Sequence, residues 1–526
     1  MTHSEHTPSG ELDAGQWSAP DADHDMTPPD GNAWDLLIIG GGTAGLVAAK
    51  TAAGFGASVL LVERDRTGGD CLWTGCVPSK ALLAAAHAAA DARAAARLGV
   101  HIDSVRVDFA EVMEHVRLAI TTIEPEDAPA ALRAAGVRVV HGTARLSGPD
   151  TAVVDGATIT FRQALLATGS APAVLDIPGL ADADPLTSDS IWQLDHLPPR
   201  LLVLGGGSIG CELGQAFARL GSQVTIVESA PTLLPREDPM AATMLFAAFA
   251  EEGIAVGNGG KVASVSRDED GRSTVSFSNG TLRVDAILVA VGRRPRTRDL
   301  GLERAGVDTD ERGYVVVSDR LQTSNPRIWA AGDLTGHPQF THTAGVHAST
   351  AASNAVLGLR RTVDTATIPR VTFTQPEVAA FGVSPHQAAA AGLTVRDIHH
   401  DHVDRAIADD STRGITRLVL DRKGRVVGAS IVGPRAGESL AELVLAARHG
   451  LRARPRRRDA RLPHLRRRCL EGRDRRGAGR FDQPDGRPCH PGARLGPAPP
   501  RLTLNTDDRL TTVKCWTASR PSSRPR

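Results

Sequence analysis

Two cysteines lie close together in this sequence, and their surroundings suggest redox chemistry. Cys71 and Cys76 are separated by four residues in the run GGDCLWTGCVPSK, where a predicted helix, Lys80 to Ala90, begins. A zinc site would require two further ligands, usually a second close pair, and the remaining four cysteines supply none. Two buried thiols are the other alternative, but the flanking glycines and a proline near the helix start favour an exposed thiolate stabilised by the helix dipole. The pattern predicts a redox-active disulfide and no metal site.

A glycine-rich turn upstream of these cysteines could bind a dinucleotide. The turn Gly40-x-Gly42-x-x-Gly45 follows the apolar run Trp34–Ile39 and precedes an Ala-rich helical stretch. Glycines at these positions permit a tight turn and let a pyrophosphate approach the helix N-terminus. The next predicted strand ends in Glu63, whose carboxylate could accept hydrogen bonds from a ribose. Strand, turn, helix and acid therefore together predict a nucleotide site.

The same pattern occurs a second time, in the turn Gly205-x-Gly207-x-x-Gly210 and the acid Glu228. The first glycine and the acid are 23 residues apart in both copies, which indicates an internal repeat. Two dinucleotide sites in one chain favour electron transfer between two cofactors. A carboxylate at residue 228 accepts a ribose 2′-OH and repels a 2′-phosphate, and residues 229–235 contain no Lys or Arg. The sequence therefore favours NADH. Arg236 is the nearest base and could bind the 2′-phosphate of NADPH if the loop folds back, so NADPH stays an alternative.

Charge is divided unevenly along the 526 residues, although 60 Lys and Arg balance 60 Asp and Glu. Residues 452–526 contain 20 Arg, one Lys and seven acids, so the tail is basic and the remainder is acidic. Residues 1–33 contain seven acids, no Lys or Arg and no apolar run, which predicts a disordered leader rather than a signal peptide. No run approaches the ~18 apolar residues of a membrane span. Sparse cysteines indicate a reducing compartment, so we expect a cytoplasmic protein.

Taken together, the motifs resemble those of the class I FAD-dependent pyridine nucleotide-disulfide oxidoreductases, over about residues 34 to 451. The resemblance implies an α/β fold with two Rossmann-like dinucleotide-binding domains, for FAD and NAD(P), and a C-terminal α+β dimerisation domain. The motifs that carry it are the two glycine turns, the Cys71/Cys76 segment, Ala167-Thr168-Gly169, Gly292-Arg293-Arg294-Pro295 and Ala330-Ala331-Gly332-Asp333.

The resemblance also implies where FAD binds. Asp333 would bind the ribityl or pyrophosphate region of FAD, and the backbone of Thr341 would face the flavin ring. The ADP half of FAD would be held by Gly40, Gly42, Gly45 and Glu63, with Gly142, Thr168 and Gly169 nearby.

Electron transfer, by the same resemblance, would use four side chains. Cys76 would lie beside the flavin and Cys71 would exchange with substrate. Lys80 and Glu212 would form an ion pair near the reactive flavin nitrogen. A cationic Lys80 would stabilise negative charge on a reduced flavin, and Glu212 would hold the ammonium in place. A solvated helix position is the alternative for Glu212. The nicotinamide cofactor would bind at Gly205, Gly207, Gly210, Glu228 and Gly292.

The motifs also divide the chain into domains. We expect one nucleotide-binding domain to be inserted into the other. The expected ranges are a leader (1–33), an FAD-binding domain in two parts (34–195 and 286–360), an NAD(P)-binding domain (196–285), an incomplete dimerisation domain (365–451) and a tail (452–526).

The tail departs from the family, whose dimerisation domain ends in a motif like His-x-His-Pro-Thr-x-x-Glu with an acid–base histidine for the partner's site. Near the expected place stands His464, but no Pro-Thr follows it. A one-base shift of degenerate codons for Arg458 to Leu465 permits Thr-His-Ala-Tyr-Pro-Thr-Tyr, close to the missing motif. We therefore expect residues 452–526 to be frameshifted and disordered. The alternative is a nucleic-acid-binding extension, which the lack of interleaved aromatic residues disfavours.

These features predict an oxidoreductase that passes electrons between NAD(P)H, FAD and the Cys71/Cys76 disulfide to a small disulfide, dithiol or similar acceptor. Glu228 favours a dihydrolipoamide dehydrogenase-like enzyme. Two alternatives stay open, a mercuric reductase-like enzyme and a turnover-impaired flavoprotein with a nucleic-acid-binding tail. A homodimer is expected for the family, and the missing motif calls both dimer and turnover into question.

Overall fold

The computed structural model describes residues 26–453, which form helices and strands in three sheet-based units. The helices are α1 (Thr43–Gly54), α2 (Gly69–Trp73), α3 (Cys76–Ala94), α4 (Phe109–Asp127), α5 (Pro129–Ala134), α6 (Ser208–Leu220), α7 (Pro239–Glu251), α8 (Thr341–Leu357), α9 (Pro385–Ala388), α10 (Asp404–Ala408) and α11 (Ala436–Arg448). The strands are β1 (Trp34–Ile39), β2 (Val59–Glu63), β3 (Val137–His141), β4 (Ala144–Leu146), β5 (Thr151–Val154), β6 (Ala157–Leu166), β7 (Ser170–Pro172), β8 (Leu186–Thr187), β9 (Arg200–Leu204), β10 (Gln223–Glu228), β11 (Ala255–Asn258), β12 (Val262–Arg267), β13 (Ser273–Phe277), β14 (Gly280–Val284), β15 (Ala286–Val289), β16 (Arg293–Pro295), β17 (Ile328–Ala330), β18 (Arg370–Thr372), β19 (Glu377–Gly382), β20 (Thr394–His399), β21 (Ile415–Leu420) and β22 (Val426–Gly433).

The first sheet has the order β3-β2-β1-β6, with parallel neighbours, and β17 pairs in parallel with β6. Strands β5 and β4 extend it as antiparallel neighbours. Parallel strands of this kind are covered on both faces, so they consist of nearly continuous apolar residues. Leu36, Leu37 and Ile38 in β1 accordingly have no exposed surface. Helices α1 and α8 pack together over the apolar cluster on one face.

The second sheet has the order β11-β10-β9-β15-β8 and is parallel throughout. Because the chain leaves the first sheet after β6 and returns to it at β17, this unit is inserted into the first. The pairing places 186–187 and 286–289 in the second sheet, outside the 196–285 range expected for it. A separate antiparallel sheet, β12-β13-β14, is formed by the residues between β11 and β15 of the chain.

The third sheet, β18-β19-β22-β21-β20, is antiparallel, and α11 packs against β19 and β22. Its apolar core includes Phe381 and Leu440. This α+β unit occupies the range expected for a dimerisation domain. Residues 1–25 of the predicted leader and 454–526 of the predicted tail lie outside the described residues. Among the helices that are described, none combines the length and apolar character of a membrane-spanning helix.

Candidate active site

Glycine is required for chain packing at the outer positions of both glycine turns. Gly40 and Gly205 have φ values of 109° and 108°, in the region that favours glycine. A Cβ atom at Gly45 would lie 1.8 Å from the carbonyl oxygen of Gly40, and one at Gly210 would lie 1.9 Å from that of Gly205. These four glycines therefore form the turn itself, whether or not a ligand binds.

A Cβ atom at either middle glycine, in contrast, would meet no clash within the described part of the chain. A Cβ atom at Gly42 would lie 3.7 Å from the nearest atom, the Cα of Gly69, and one at Gly207 would meet nothing within 4 Å. Gly42 is the N-cap of α1 and Gly207 is the N-cap of α6, so each stands where helix N–H groups point outward. The two turns thus leave room for an anionic group at a helix N-terminus.

The two predicted acids accept hydrogen bonds from backbone N–H groups of these turns. Oε2 of Glu63 accepts a hydrogen bond from the N–H of Gly41 at 2.5 Å, and Oε2 of Glu228 accepts one from Gly206 at 2.7 Å. Each carboxylate is therefore fixed at the turn opening, where a ribose hydroxyl could donate to it. Arg236, the nearest base after Glu228, is exposed.

A second segment binds each turn through one further hydrogen bond. The N–H of Gly68 donates to the carbonyl of Gly41 at 2.9 Å, and the N–H of Leu234 donates to that of Gly206 at 2.9 Å. In the first copy this segment continues directly into α2, which contains Cys71.

The cysteines lie on two successive helices. Helix α3 begins at Cys76, earlier than the predicted start at Lys80, and Pro78 is accommodated in its first turn. Gly75 separates the helices where a Cβ atom would lie 2.6 Å from the carbonyl oxygen of Asp70. Cys71 is half-buried and Cys76 is exposed. Cys76 therefore occupies the first helical position, where the helix dipole favours a thiolate.

The two thiols differ in acidity. A hydrogen bond from Cys71 lowers the pKa of Cys76, and the Thr341 hydroxyl and the charge of Lys80 lower that pKa further. Sγ of Cys76 and Oγ1 of Thr341 are 3.1 Å apart. The same bond to Cys76, together with burial, raises the pKa of Cys71. When both cysteines are reduced, Cys76 is therefore the one that ionises to a thiolate first.

Lys80 and Glu212 come together as an ion pair, as the resemblance implies. Lys80 Nζ lies 3.0 Å from Oε2 of Glu212, although the residues are 132 positions apart. Lys80 is one turn beyond Cys76 on α3, and Glu212 is a buried residue of α6, not the solvated helix position considered as its alternative. The backbone N–H of Phe373 donates to the other carboxylate oxygen at 3.0 Å, so the buried carboxylate has two partners.

The other predicted FAD residues surround the end of the first sheet. The N–H of Gly142 donates to the carbonyl of Glu63 at 2.9 Å. Oγ1 of Thr168 donates to the carbonyl of Arg296 at 2.7 Å. Gly169 has a φ value of 69°, and a Cβ atom there would meet nothing within 4 Å; the same holds for Gly292, predicted for the nicotinamide cofactor, whose φ value is 128°.

Asp333 belongs to a charged network that the sequence motifs indicate only in part. Its Oδ2 accepts a hydrogen bond from Ser170 at 2.6 Å, and burial raises the pKa of Asp333. Arg293 donates to Ser170 and forms an ion pair with Asp70, the neighbour of Cys71. Arg296 also pairs with Asp70, at 3.3 Å. The motifs that contain Asp333 and Arg293 indicate two members of this network, whereas Ser170, Asp70 and Arg296 lie next to motif residues and were not predicted.

The surroundings of Thr341 also have unpartnered polar atoms. Nε2 of Gln339 and Oγ1 of Thr343 are buried without a hydrogen-bond partner among the described residues. Such atoms cost free energy unless a bound group supplies partners. Together with the open middle glycine and the carboxylates of Glu63 and Asp333, they fit FAD. No cluster of three or more His, Cys, Asp or Glu side chains within residues 26–453 is arranged to hold a metal ion.

Comparison with known proteins places this arrangement in a family. Residues 34–348 match the family model described as pyridine nucleotide-disulphide oxidoreductase, and residues 368–463 match its dimerisation domain.

Individual relatives agree with these two matches. A mercuric reductase of Streptomyces lividans is 41% identical over 430 residues, covering 80% of this chain and 90% of the relative. A dihydrolipoyl dehydrogenase of Geobacillus stearothermophilus is 35% identical over 430 residues, covering 80% of this chain and 91% of the relative. The crystal structure of LpdA from Mycobacterium tuberculosis, 28% identical, superposes with a TM-score of 0.75 and covers 83% of this chain and 98% of its own.

The predicted fold class, enzyme class and cofactors are thereby confirmed. The enzyme uses FAD and NAD(P)H, with NADH consistent with the family, and it carries a dimerisation domain. The chain belongs to the pyridine nucleotide-disulphide oxidoreductase family.

Proposed function

We propose that electrons pass from NADH through FAD to the Cys71–Cys76 pair and leave through Cys71 to a small disulfide or similar acceptor. The observation that carries this proposal is the position of Cys76 at the first turn of α3, beside Thr341 and one turn before Lys80. Bound FAD supplies the chemistry that accepts a hydride from the nicotinamide and returns two electrons to a disulfide. FAD would be held at the first glycine turn, Glu63, Gly142 and Asp333.

The positive charge of Lys80 has two roles in this proposal. It favours the thiolate form of Cys76, and it stabilises negative charge that develops on a reduced flavin. Glu212 holds the ammonium, because an unpaired charge on this partly buried side chain would be unfavourable. Cys71, whose pKa is raised, needs a general base before it can attack or leave as a thiolate.

The nicotinamide cofactor is proposed to be NADH, bound at Gly205, Gly207, Gly210, Glu228 and Gly292. Glu228 is buried and accepts hydrogen bonds from the N–H of Gly206 in the turn and from the N–H of Ala230, so it presents a fixed carboxylate to a ribose and repels a 2′-phosphate. The dimerisation domain supports a homodimer. A cytoplasmic location stays a prediction from cysteine usage, and nucleic acid is not proposed as a partner.

The cysteine assignment can be tested by anaerobic titration with NADH, followed by absorbance spectroscopy. We expect a long-wavelength absorbance band in the wild type, from a Cys76 thiolate beside the bound flavin. Cys71→Ser has no disulfide to reduce, so it should show such a band before NADH is added, and Cys76→Ser should lack the band at equal FAD content, with or without NADH. Absence of the band in the wild type would refute the proposal, and the opposite behaviour of the two variants would exchange the roles of the cysteines.

The acceptor can be identified by NADH oxidation assays with lipoamide, glutathione disulfide, mycothiol disulfide, quinones and Hg²⁺. The Geobacillus relative and Glu228 favour lipoamide-like disulfides. Mercuric reductase activity is the second candidate, which the 41% identical Streptomyces relative favours. Against it, residues 1–33 contain no cysteine, and Cys469, Cys489 and Cys515 are not adjacent. Turnover of Hg²⁺ alone would support the second candidate.

A frameshift near residue 452 is proposed as the origin of the basic tail. Resequencing the gene across this codon tests it directly. A confirmed Arg-rich frame would refute the frameshift. A corrected frame that encodes Thr-His-Ala-Tyr-Pro-Thr-Tyr would support it, and a protein made from that frame should turn over disulfides faster without faster flavin reduction by NADH.

A further inference from the structure

Helix α6 binds the first residues of the third sheet unit along one face. Oγ of Ser208 lies 2.8 Å from Oγ1 of Thr372, and Oε1 of Gln215 accepts a hydrogen bond from the N–H of Gln375 at 2.8 Å. One helical turn later, Arg219 donates to the side chain of Gln375 at 2.5 Å. Residues 208, 212, 215 and 219 share a face of the helix. The segment 372–375 is therefore fastened along the helix that begins at the second glycine turn.

Phe373, in the middle of this segment, contacts both members of the Lys80–Glu212 ion pair. Its backbone N–H donates to Oε1 of Glu212 at 3.0 Å, while Oε2 of the same carboxylate binds Lys80 at 3.0 Å. The Phe373 ring centroid lies 4.3 Å from Nζ of Lys80. This distance is within the ~6 Å range of favourable cation–π contacts.

Lysine is a flexible residue, and an ion pair with one carboxylate oxygen does not by itself fix the ammonium. The Lys80 side chain is 41% exposed, so other rotamers are accessible to it. The aromatic face supplies a second attraction from another direction, and Gln375 holds the backbone that carries this ring. The ammonium also donates to Oγ of Ser79, at 3.4 Å, so its position is defined by the carboxylate, the ring and this long hydrogen bond.

We propose that Phe373 is a positioning residue, which holds the Lys80 ammonium close to Cys76 and to the flavin. This inference rests on the role proposed above for the ion pair. Two groups, Cys71 and Thr341, form hydrogen bonds with Cys76, and two charged groups, Lys80 and Glu212, lie close enough to affect its ionisation. Because Lys80 lowers the pKa of Cys76, an ammonium that moves away should leave that pKa higher.

The experiment measures the alkylation rate of Cys76 by iodoacetamide against pH, in the FAD-loaded enzyme with Cys71→Ser so that one thiol of the pair reacts. Serine keeps a hydroxyl that can donate to Cys76. Phe373→Leu and Phe373→Met remove the ring, Phe373→Tyr keeps it, and all three keep the backbone N–H to Glu212. Lys80→Met gives the full effect of losing the charge. Bound FAD per protein, measured by absorbance, verifies that each variant is folded.

We expect loss of the ring to raise the apparent pKa of Cys76 and to slow alkylation below that pKa about two- to fivefold, the range of one cation–π contact. Phe373→Tyr should behave as the parent Cys71→Ser enzyme. If both ring-free variants alkylate like this parent while Lys80→Met is slower, the positioning role of Phe373 is refuted. If Lys80→Met is also unchanged, the proposed role of Lys80 fails instead.

Discussion

The two glycine turns of this enzyme have the same geometry but hold different segments in place. In the first copy, Gly68 donates to the turn and the chain continues into the helix that carries Cys71. In the second copy, Leu234 makes the equivalent bond, and a Cβ atom on Gly206 would lie 2.6 Å from Leu233. One segment brings thiols close to its turn, and the other packs an apolar side chain against its turn. The turn is thus common to both copies, and the segment that follows it determines whether reactive side chains are added.

The first copy also fixes its segment more tightly to the turn. A Cβ atom at Gly69 would lie 2.6 Å from the Cα of Gly42, so the two backbones touch at the middle glycine of the turn. Gly42 and Gly68 form an isolated parallel bridge. The cysteines are therefore held in a fixed position relative to the first glycine turn, where the pyrophosphate of FAD is proposed to bind.

The largest expected effect comes from blocking an outer glycine in either copy. Gly45→Ala places a methyl group against the Gly40 carbonyl, which we expect to destabilise the first unit by about 3 kcal/mol and to abolish FAD retention. Gly210→Ala should remove NADH binding and leave FAD in place. Flavin absorbance per protein and thermal unfolding measure both. Loss of FAD in both variants would show that the copies are not independent.

A smaller effect is expected at the open middle glycines. Gly207→Ala meets nothing within 4 Å, so the fold and FAD content should be unchanged. The methyl group occupies the approach of the pyrophosphate, and NADH affinity should fall about tenfold, or about 1.4 kcal/mol. Gly42→Ala is the matched variant and should weaken FAD retention instead. Unchanged NADH binding in Gly207→Ala, measured by titration, would contradict the ligand role of the middle glycine.

Substitution of the acid in each copy should affect only the cofactor proposed for that copy. Glu228→Gln removes the charge that repels a 2′-phosphate while it keeps the side-chain shape, so the preference for NADH over NADPH should decrease about tenfold in kcat/KM. Glu63→Gln should lower FAD retention without any change in this preference. Steady-state kinetics with both nicotinamides provide the measurement. An unchanged preference in Glu228→Gln would place the discrimination elsewhere.

The smallest effect concerns the thiol that distinguishes the first copy. Thr341→Val removes a hydroxyl that lowers the pKa of Cys76, so this pKa should rise. Below it, the thiolate fraction decreases, and alkylation should slow about twofold, the lower end of one hydrogen bond. The pH profile of iodoacetamide alkylation in the Cys71→Ser background measures the shift. A profile that matches the parent enzyme would exclude a contribution from this hydroxyl.

The two turns were predictable from the sequence because their requirements are local. Gly40, Gly45 and Glu63 lie on one strand–turn–helix–strand unit, so spacing alone indicates their relation. Long-range contacts were not predictable in this way. The Lys80–Glu212 pair followed only from the family resemblance, and the expected role of Thr341 was its backbone, whereas its hydroxyl contacts Cys76 from 265 positions away.

Other differences have simple physical reasons. Helix α3 starts at Cys76 because a proline is tolerated within the first turn, where its missing N–H has no partner to lose. The two-residue strand β8 is too short for any periodic pattern, so its place in the second sheet became visible only from pairing. Phe373 carries no sequence signal for its contact with Lys80, because an aromatic residue immediately after a short strand is ordinarily a core residue.

The insertion of the second unit between β6 and β17 has a consequence for folding order. Strand β17 pairs with β6 across more than a hundred intervening residues, and Asp333 lies three residues beyond the end of β17. Contacts of such high sequence separation form late, because loop-closure entropy opposes them until the inserted unit has become compact. During synthesis, the proposed FAD site can therefore be completed only after the inserted unit has been made, so flavin incorporation should report on a chain translated at least through Asp333.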